Sequence, residues 1–439
     1  MDKRIVIVGA GVAGINAATK LVDNGYDGSL ITIIDKGNDP INRLPEEVMT
    51  GMLGAGGWSD GKLTYHTAIG GQLAKYCGEE KAMELMKQVV DNFTRFHPKP
   101  EEIFMSDPQE EPEFIKPYFG LRMFPVWHIG SNFLHEIAKN WYSYLLDKGV
   151  KFEWETEVDK IEFVDNKVHF FRKWHFEPQM EWISYDELIF AVGKSGIDFA
   201  QQLSDDYKLP TEPKSVQIGV RFEAPQKYFQ KLIDISYDFK LYQKFDKVSL
   251  RSFCTNNNAA YVAVEETYGD VSYNGHAKKG EEFRNNMTNF GILMEIKGIE
   301  DPFKWSRDVV QKFNTVEGRG VYYSPNRHRG VSKTSEGINV EAYQIDTLDI
   351  FKEAFGEYAQ YIIDFVDQMN KVFEFGDDWG MYIPEVKYLS PEPLVNYDDL
   401  SLTEYSNVHF VGDALSARGI TVSGAHGIYV AESLINPSK

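Results

Sequence analysis

The sequence predicts an α/β protein: a domain built on a parallel sheet, interrupted by a second, mixed-sheet α+β domain. Three observations carry this. The chain opens on strand, glycine turn, helix and second strand within 35 residues. It closes on another short apolar strand running into Gly412 and a helix. Between about Pro210 and Asp377 the composition shifts toward Tyr, Phe and Asn in alternating segments.

The elements follow in order. Arg4 to Val8 (RIVIV) is wholly apolar and β-branched after its first residue, as a strand buried on both faces requires. Val12 to Asp23 repeats Ile15, Leu21 and Val22 at helical spacing, and Gly25 ends it. Ser29 to Ile34 is a second buried strand closing on Asp35. Glu79 to Phe96 and Ser131 to Lys148 have amphipathic helical spacing, whereas the acidic, proline-containing Pro98 to Pro117 reads as a surface excursion. Lys151 to Glu155 and Lys167 to Arg172 alternate like strands and are expected to meet through a turn at Asp165-Asn166. Leu188 to Val192 and Val408 to Val411 are further buried strands, Ser215 to Glu223 and Ala260 to Glu265 belong to the mixed sheet, and Val422 to Leu434 is the closing helix. The expected boundaries are 1–205 with 380–439 for the first domain and 206–379 for the insert.

Composition bounds the function. The 439 residues carry 46 basic and 66 acidic side chains, a formal charge of −20, which repels phosphate backbones and argues against nucleic-acid binding. Cys77 and Cys254 are too far apart in sequence to suggest a disulfide framework or a cysteine metal site, and no metal centre is expected. The start MDKRIVIV runs directly into a strand and no apolar run approaches a membrane span, so a cytoplasmic protein is expected.

VIVGAGVAG sets Gly9, Gly11 and Gly14 in G-x-G-x-x-G spacing between strand and helix, flanked by Ala13. The first glycine permits the turn, the second a close backbone approach to a pyrophosphate, and the third helix–strand packing. The helix N-terminus adds partial positive charge. Asp35, about 20 residues on, with Lys36 beside it, ends the second strand where a carboxylate holds a ribose hydroxyl. This is a Rossmann-like dinucleotide site. No second such fingerprint and no C-x-x-C pair occurs, which disfavours a reductase with its own nicotinamide domain or a redox dithiol. The closing strand–Gly412-Asp413–helix resembles the final motif of glutathione-reductase-like flavoproteins, which implies FAD. There Asp413 serves the ribityl–pyrophosphate region, and Gly419, Ile420 and Ala425 line the isoalloxazine side. In the same scheme LIFAVGKSG places Ala191 and Gly193 near the cofactor, and Val158 holds adenine through its backbone.

Five blocks in order resemble the uncharacterised FAD-dependent dehydrogenase family of single-FAD, glutathione-reductase-type flavoproteins: GAGGWSDGKL from Gly54, HIGSNFLHEI from His128, IGVRFEAPQ from Ile218, PEVKYLSPEPLV from Pro384 and GDALSARGITVSGAHGI from Gly412. The resemblance implies a glutathione-reductase-type FAD-binding domain with an inserted substrate domain, and hydride exchange between a small organic substrate and flavin N5. Two departures point to a different substrate: SFCTNNN lacks the family's Gly-Gly, and Lys387 replaces a late arginine. The block GAGGWSDGKL follows the second strand, so it reads as a continuation of the cofactor cradle, with Ser59, Asp60, Gly61 and Lys62 toward cofactor oxygens.

For chemistry the candidates are His66, Arg221, Arg327 and His328. His66 lies beyond the SDG turn. Arg221 would bind a carboxylate in bidentate fashion, and YYSPNRHR (Tyr322 to Arg329) is dense in basic side chains, which suggests an anionic substrate. His128 is either a site residue or a cap. Alternative readings are an oxidase acting on an amine or amino acid with oxygen as acceptor, or a non-catalytic FAD-binding subunit.

Overall fold

The computed structural model describes residues 3–44, 47, 49–59, 61–173, 179–212, 216–236, 238–267, 269–277, 281–314, 319–333, 340–387 and 392–436. Two compact units result: Met1–Ser106, Pro125–Pro213 and Ser390–Lys439 form the first, and Asp107–Phe124 and Lys214–Leu389 the second. These limits differ from the expected 205/206 and 379/380, and Asp107–Phe124 falls with the insert.

The first unit is built on a five-stranded parallel sheet in the order Val408–Phe410, Glu187–Phe190, Ile5–Val8, Ile31–Ile34, Lys151–Glu153. Every residue of the three central strands is buried, in keeping with their largely apolar runs. The first helix, Val12–Asp23, packs on the closing helix, Ile420–Ile435, and Glu79–Phe96 packs on that helix in turn. Glycines make this approach close: a Cβ at Gly427 would lie 2.0 Å from the Ala13 carbonyl oxygen. Lys20 and Lys81 each reach Glu432 at 2.8 Å across the same layer.

Two expectations are corrected here. Lys151–Glu153 joins the parallel sheet, and the partner of Lys167–Arg172 is instead Thr156–Glu162. The chain is redirected between them at Glu155, whose φ is +49°. The acidic stretch after Pro98 is not wholly a surface excursion: Phe104–Ser106 pairs with Val126–His128, and Ile115 and Phe119 are buried in the second unit's core.

The second unit carries an eight-stranded sheet in the order Ala342–Ile345, Gly320–Tyr323, Gly380–Lys387, Val216–Pro225, Met287–Ile296, Val248–Asn258, Lys240–Lys244, Gly120–Arg122. Only the first pair is parallel, so the sheet is mixed. Alternate residues such as Ile218, Val220 and Phe222 bury with Pro302–Asn314, Asp349–Phe355 and Ala359–Phe373 on one face. The opposite face carries Arg221 and Glu385 together with the hairpin of Ala260–Thr267 and Asp270–Ala277, where Val262 and Tyr273 cluster with Tyr322 and Tyr382. Among the described residues no helix is long and apolar enough to cross a membrane. Neither Cys77 nor Cys254 forms a disulfide.

Candidate functional site

A cleft of about 760 Å³ runs along the C-terminal ends of the parallel strands in the first unit. That is where an open α/β sheet binds its ligand, and the volume suits a large cofactor. Its wall collects four remote stretches: the glycine turn, Thr156 to Asp159, Ala191 to Gly196, and Gly412 with Asp413 and Arg418 to Ile420.

The three fingerprint glycines divide their work. Gly9 has φ +108° and a Cβ there would sit 2.2 Å from the Ala191 carbonyl oxygen, so it forms the turn against the neighbouring strand. Gly11 faces the cleft, its nearest neighbour being 3.9 Å from a Cβ position. Gly14 lies behind the wall, where a Cβ would meet the Gly9 carbonyl at 2.2 Å, and it fixes helix–strand packing.

Two helix N-termini open on this cleft, through Gly11, Val12 and Ala13 and through Gly419, Ile420 and Ser423. Neither helix has an acidic residue in its first turn, so neither N-terminal partial charge is offset. Lys36, Lys194 and Arg418 add cations to the wall, facing Asp35, Glu157, Asp159, Asp198 and Asp413. Burial pushes the Asp413 carboxyl above its ordinary value, opposed by Arg418 and Lys194.

Asp35 has a second task that its position in sequence does not reveal. Oδ2 accepts the Ala10 N–H at 2.7 Å, and Oδ1 accepts those of Gly37 and Gly51 at 2.8 Å each. The carboxylate thereby folds the following loop against the glycine turn, keeping about one acceptor position of its four for a ligand. Lys36 Nζ donates to the Ser195 carbonyl at 3.0 Å, tying the second strand's end to the loop after the fourth.

The stretch from Gly54 joins the same cleft. Leu53 donates its N–H to the Ala10 carbonyl at 2.8 Å, and Gly54, Ala55, Gly56 and Ser59 line the wall. A Cβ at Gly56 would lie 2.4 Å from Val12 Cγ2, so only backbone fits between the two helices' first residues. Gly61 packs on Gly130 and Lys62 begins a strand beside Val126–His128, so both stand apart from the wall. Asp60 lies outside the described residues. Val158, Ala191, Gly193, Gly412, Gly419 and Ile420 all line the cleft, whereas Ala425 is buried in the helix layer.

Three wall or loop residues carry no signal readable in the sequence. Phe171 reaches the cleft from the hairpin. Arg418 stands beside the glycine that caps the closing helix. Arg43 donates to the carbonyls of Glu47 and Gly54 at 2.8–3.1 Å and also to that of Met52. Burial lowers its guanidinium to about 10, against the pull of Asp35 and Glu47. Such a staple grips backbone, so no partner residue type announces it.

The candidate chemical residues are not gathered. His66 is exposed in the first unit, its Nδ1 accepting the Ala68 N–H at 3.0 Å. His128 sits in a strand, stacked on Phe104 and 2.9 Å from Ser106 Oγ, so it neither begins nor caps a helix. In the second unit Arg327 and His328 are exposed, Arg327 3.7 Å from Asp346. Arg221 is fully buried: it donates to Asn289 Oδ1 at 2.7 and 3.0 Å, to the Cys254 carbonyl at 2.8 Å and to Glu385 at 3.3 Å. Its fork is therefore filled from within the protein, and the expectation that it takes a substrate carboxylate is corrected. Arg329 is likewise held by Asp378 at 2.6 Å and Glu223 at 3.5 Å.

No family model and no curated protein sequence matches the chain. Among solved structures it is similar to a flavoprotein/dehydrogenase from Cytophaga hutchinsonii, over 99% of this chain and 79% of that one, at 12% identity and a TM-score of 0.38. It is also similar to the flavin-dependent halogenase CmlS, over 99% and 57%, at 12% identity and TM-score 0.41. A third is a mutant of halogenase PltM in complex with FAD, over 99% and 68%, at 11% identity and TM-score 0.39.

Proposed function

We propose that this protein is an FAD-dependent oxidoreductase of the single-FAD, glutathione-reductase-type kind, acting as a dehydrogenase or reductase on a small organic substrate. One observation carries the reading. A single cleft joins the glycine turn and Asp35 at one end to the N-terminus of the closing helix at the other, and neither helix carries an acidic residue in its first turn. A mononucleotide needs only the first of these; a dinucleotide with a second ring system uses both.

The residues present fit the group. Gly11 leaves room for a pyrophosphate against backbone N–H groups, and Asp35 keeps an acceptor for a ribose hydroxyl. Thr156 to Val158 with Phe171 form the wall beyond Asp35, suited to adenine. Asp413, Gly419 and Ile420, which line the cleft beside the closing helix, would hold the ribityl and ring portion. When bound, FAD supplies the hydride acceptor or donor. The chain's own part is to orient it, to exclude water through Met49, Leu53 and Ile420, and to hold positive potential from the closing helix at the ring end.

The test is a visible spectrum of the purified protein, reconstitution with FAD against NAD, and anaerobic bleaching by NADH, NADPH, amines and carboxylic acids. Bound FAD that a donor bleaches supports the reading. Failure to bind FAD overturns it, and peroxide formation with an amine replaces the dehydrogenase by an oxidase. Bound FAD that no donor reduces favours the non-catalytic subunit.

A further inference from the structure

One side chain ties the two walls of the cleft together. Lys36 leaves the end of Ile31–Ile34, and its Nζ donates at 3.0 Å to the carbonyl of Ser195, in the turn that follows Glu187–Phe190. In the sheet Ile5–Val8 lies between those two strands. Neighbouring strands stand about 4.8 Å apart, so the two flanking strands are roughly 10 Å from each other. The tie therefore passes over the end of Ile5–Val8, where Gly9 and Gly11 form the turn. Lys36, Ser195 and both glycines line the same cleft.

Both anchors are fixed from behind. Gly37 donates to Asp35 Oδ1 at 2.8 Å, the Gly37 carbonyl accepts the Glu155 N–H at 2.9 Å, and the Lys36 carbonyl accepts Lys173 Nζ at 3.3 Å. On the other wall Gly193, at φ +64°, starts the turn Lys194–Gly196, and its carbonyl accepts the Gly196 N–H at 3.2 Å. Between these held backbones runs the four-carbon stem of Lys36, half-buried and with rotatable bonds throughout.

The partner that closes the tie is a weak one. Glu157, Asp159 and Asp198 also line the cleft, yet the ammonium meets a neutral carbonyl, its one hydrogen-bond partner among the described residues. Bonds in which both groups are charged are the stronger ones, and one of three ammonium donors is a light fastening. Beside the crossing, Gly11 leaves its Cβ position open to 3.9 Å and the first helix presents its N-terminus with no acid in the first turn. A diphosphate seated on that turn lies where the tie crosses.

We propose that Lys36 is a strap across the dinucleotide site. Its ammonium releases the Ser195 carbonyl to admit a nucleotide diphosphate to the glycine turn and closes again behind it, so the strap governs entry and exit alike. Lys36 is thus a positioning residue, acting on the cofactor through the wall it fastens. That the dinucleotide is FAD rests on the proposed function; the strap itself requires only an adenine nucleotide on the glycine turn.

The experiment follows binding and release of ADP, and separately of FAD, by the full chain stripped of any bound flavin, in a stopped-flow instrument. In Lys36→Met and in Lys36→Gln both association and dissociation are expected to quicken roughly tenfold, while affinity stays within about threefold of the parent. Lys304→Gln, exposed on Pro302–Asn314 in the second unit, keeps the parent rates. A merely structural role lowers affinity and Tm together, and that result overturns the strap. So do unchanged rates, and so does faster dissociation without faster association, which is what loss of a plain phosphate contact gives. The rates are read on whichever ligand binds. Binding of ADP without FAD counts against the cofactor reading and not against the strap, and binding of neither overturns both.

Discussion

The Asp35 carboxylate closes on the backbone N–H of Gly51, 16 residues later, at 2.8 Å, while its other oxygen holds Ala10 at 2.7 Å. One side chain thus couples the glycine turn to the loop that follows the second strand. Asp35→Ala is expected to lose both ligand affinity and stability, by roughly 2–4 kcal/mol for three hydrogen bonds to a charged acceptor. Asp35→Asn, which keeps one acceptor oxygen, loses less. Urea unfolding of both variants, alongside FAD retention, checks this; equal stability of D35A and the parent protein refutes it.

Gly9 and Gly11 separate fold from ligand. Gly9→Ala drives a Cβ to 2.2 Å from the Ala191 carbonyl at φ +108°, which costs about 1–3 kcal/mol in strain and displaces the fourth strand. Gly11→Ala meets nothing closer than 3.9 Å, so the variant is expected to melt like the parent yet retain much less FAD. Thermal unfolding of the two apoproteins and their flavin content make the comparison; matched Tm values for both would sink it.

His426 is fully buried in the closing helix, and neither ring nitrogen has a hydrogen-bond partner among the described residues. Burial lowers its imidazole to about 3. The unfolded chain titrates near 6.5, so between about 6.5 and 3 the unfolded state binds the extra proton. Stability is therefore full above about 6.5 and falls by about 1.4 kcal/mol per pH unit as pH drops toward 3. His426→Leu is expected to be neutral or stabilising at pH 7.5 and to flatten this slope. Denaturant melts at pH 7.5 and 5.0 test it, a wild-type slope surviving in the variant being the contrary result.

Arg43 gathers three carbonyls of its own loop, and five donors in a fixed fork cannot be matched by an ammonium. Arg43→Lys is expected to loosen residues 47–54, raising protease cleavage there severalfold without changing cleavage in the second unit. Mass spectrometry of limited digests locates the cuts, and an unchanged map would contradict the role.

How far the sequence carries depends on how local each cause is. Val12–Asp23 and Glu79–Phe96 appear at the bounds their spacing predicts, because helical periodicity and glycine stops act within a few residues. Gly9, Gly11 and Gly14 are legible for the same reason: their spacing is the turn. The partner of Lys167–Arg172 is not, because Glu155 redirects the chain by a backbone angle that no composition signals.

Sequence by itself therefore determined the strand–turn–helix units, the dinucleotide fingerprint and the closing Gly412-Asp413 turn, each set by neighbours along the chain. Tertiary structure decided which charges are paired. Arg221 reads as a ligand arginine until Asn289, Glu385 and the Cys254 carbonyl fill its fork, from positions 33 to 164 residues away. Lys240, Arg251 and Lys387, scattered in sequence, meet at Phe253 only through strand register. The reason is physical: periodicity is a property of adjacent residues, whereas desolvation and charge pairing belong to whatever the fold places alongside.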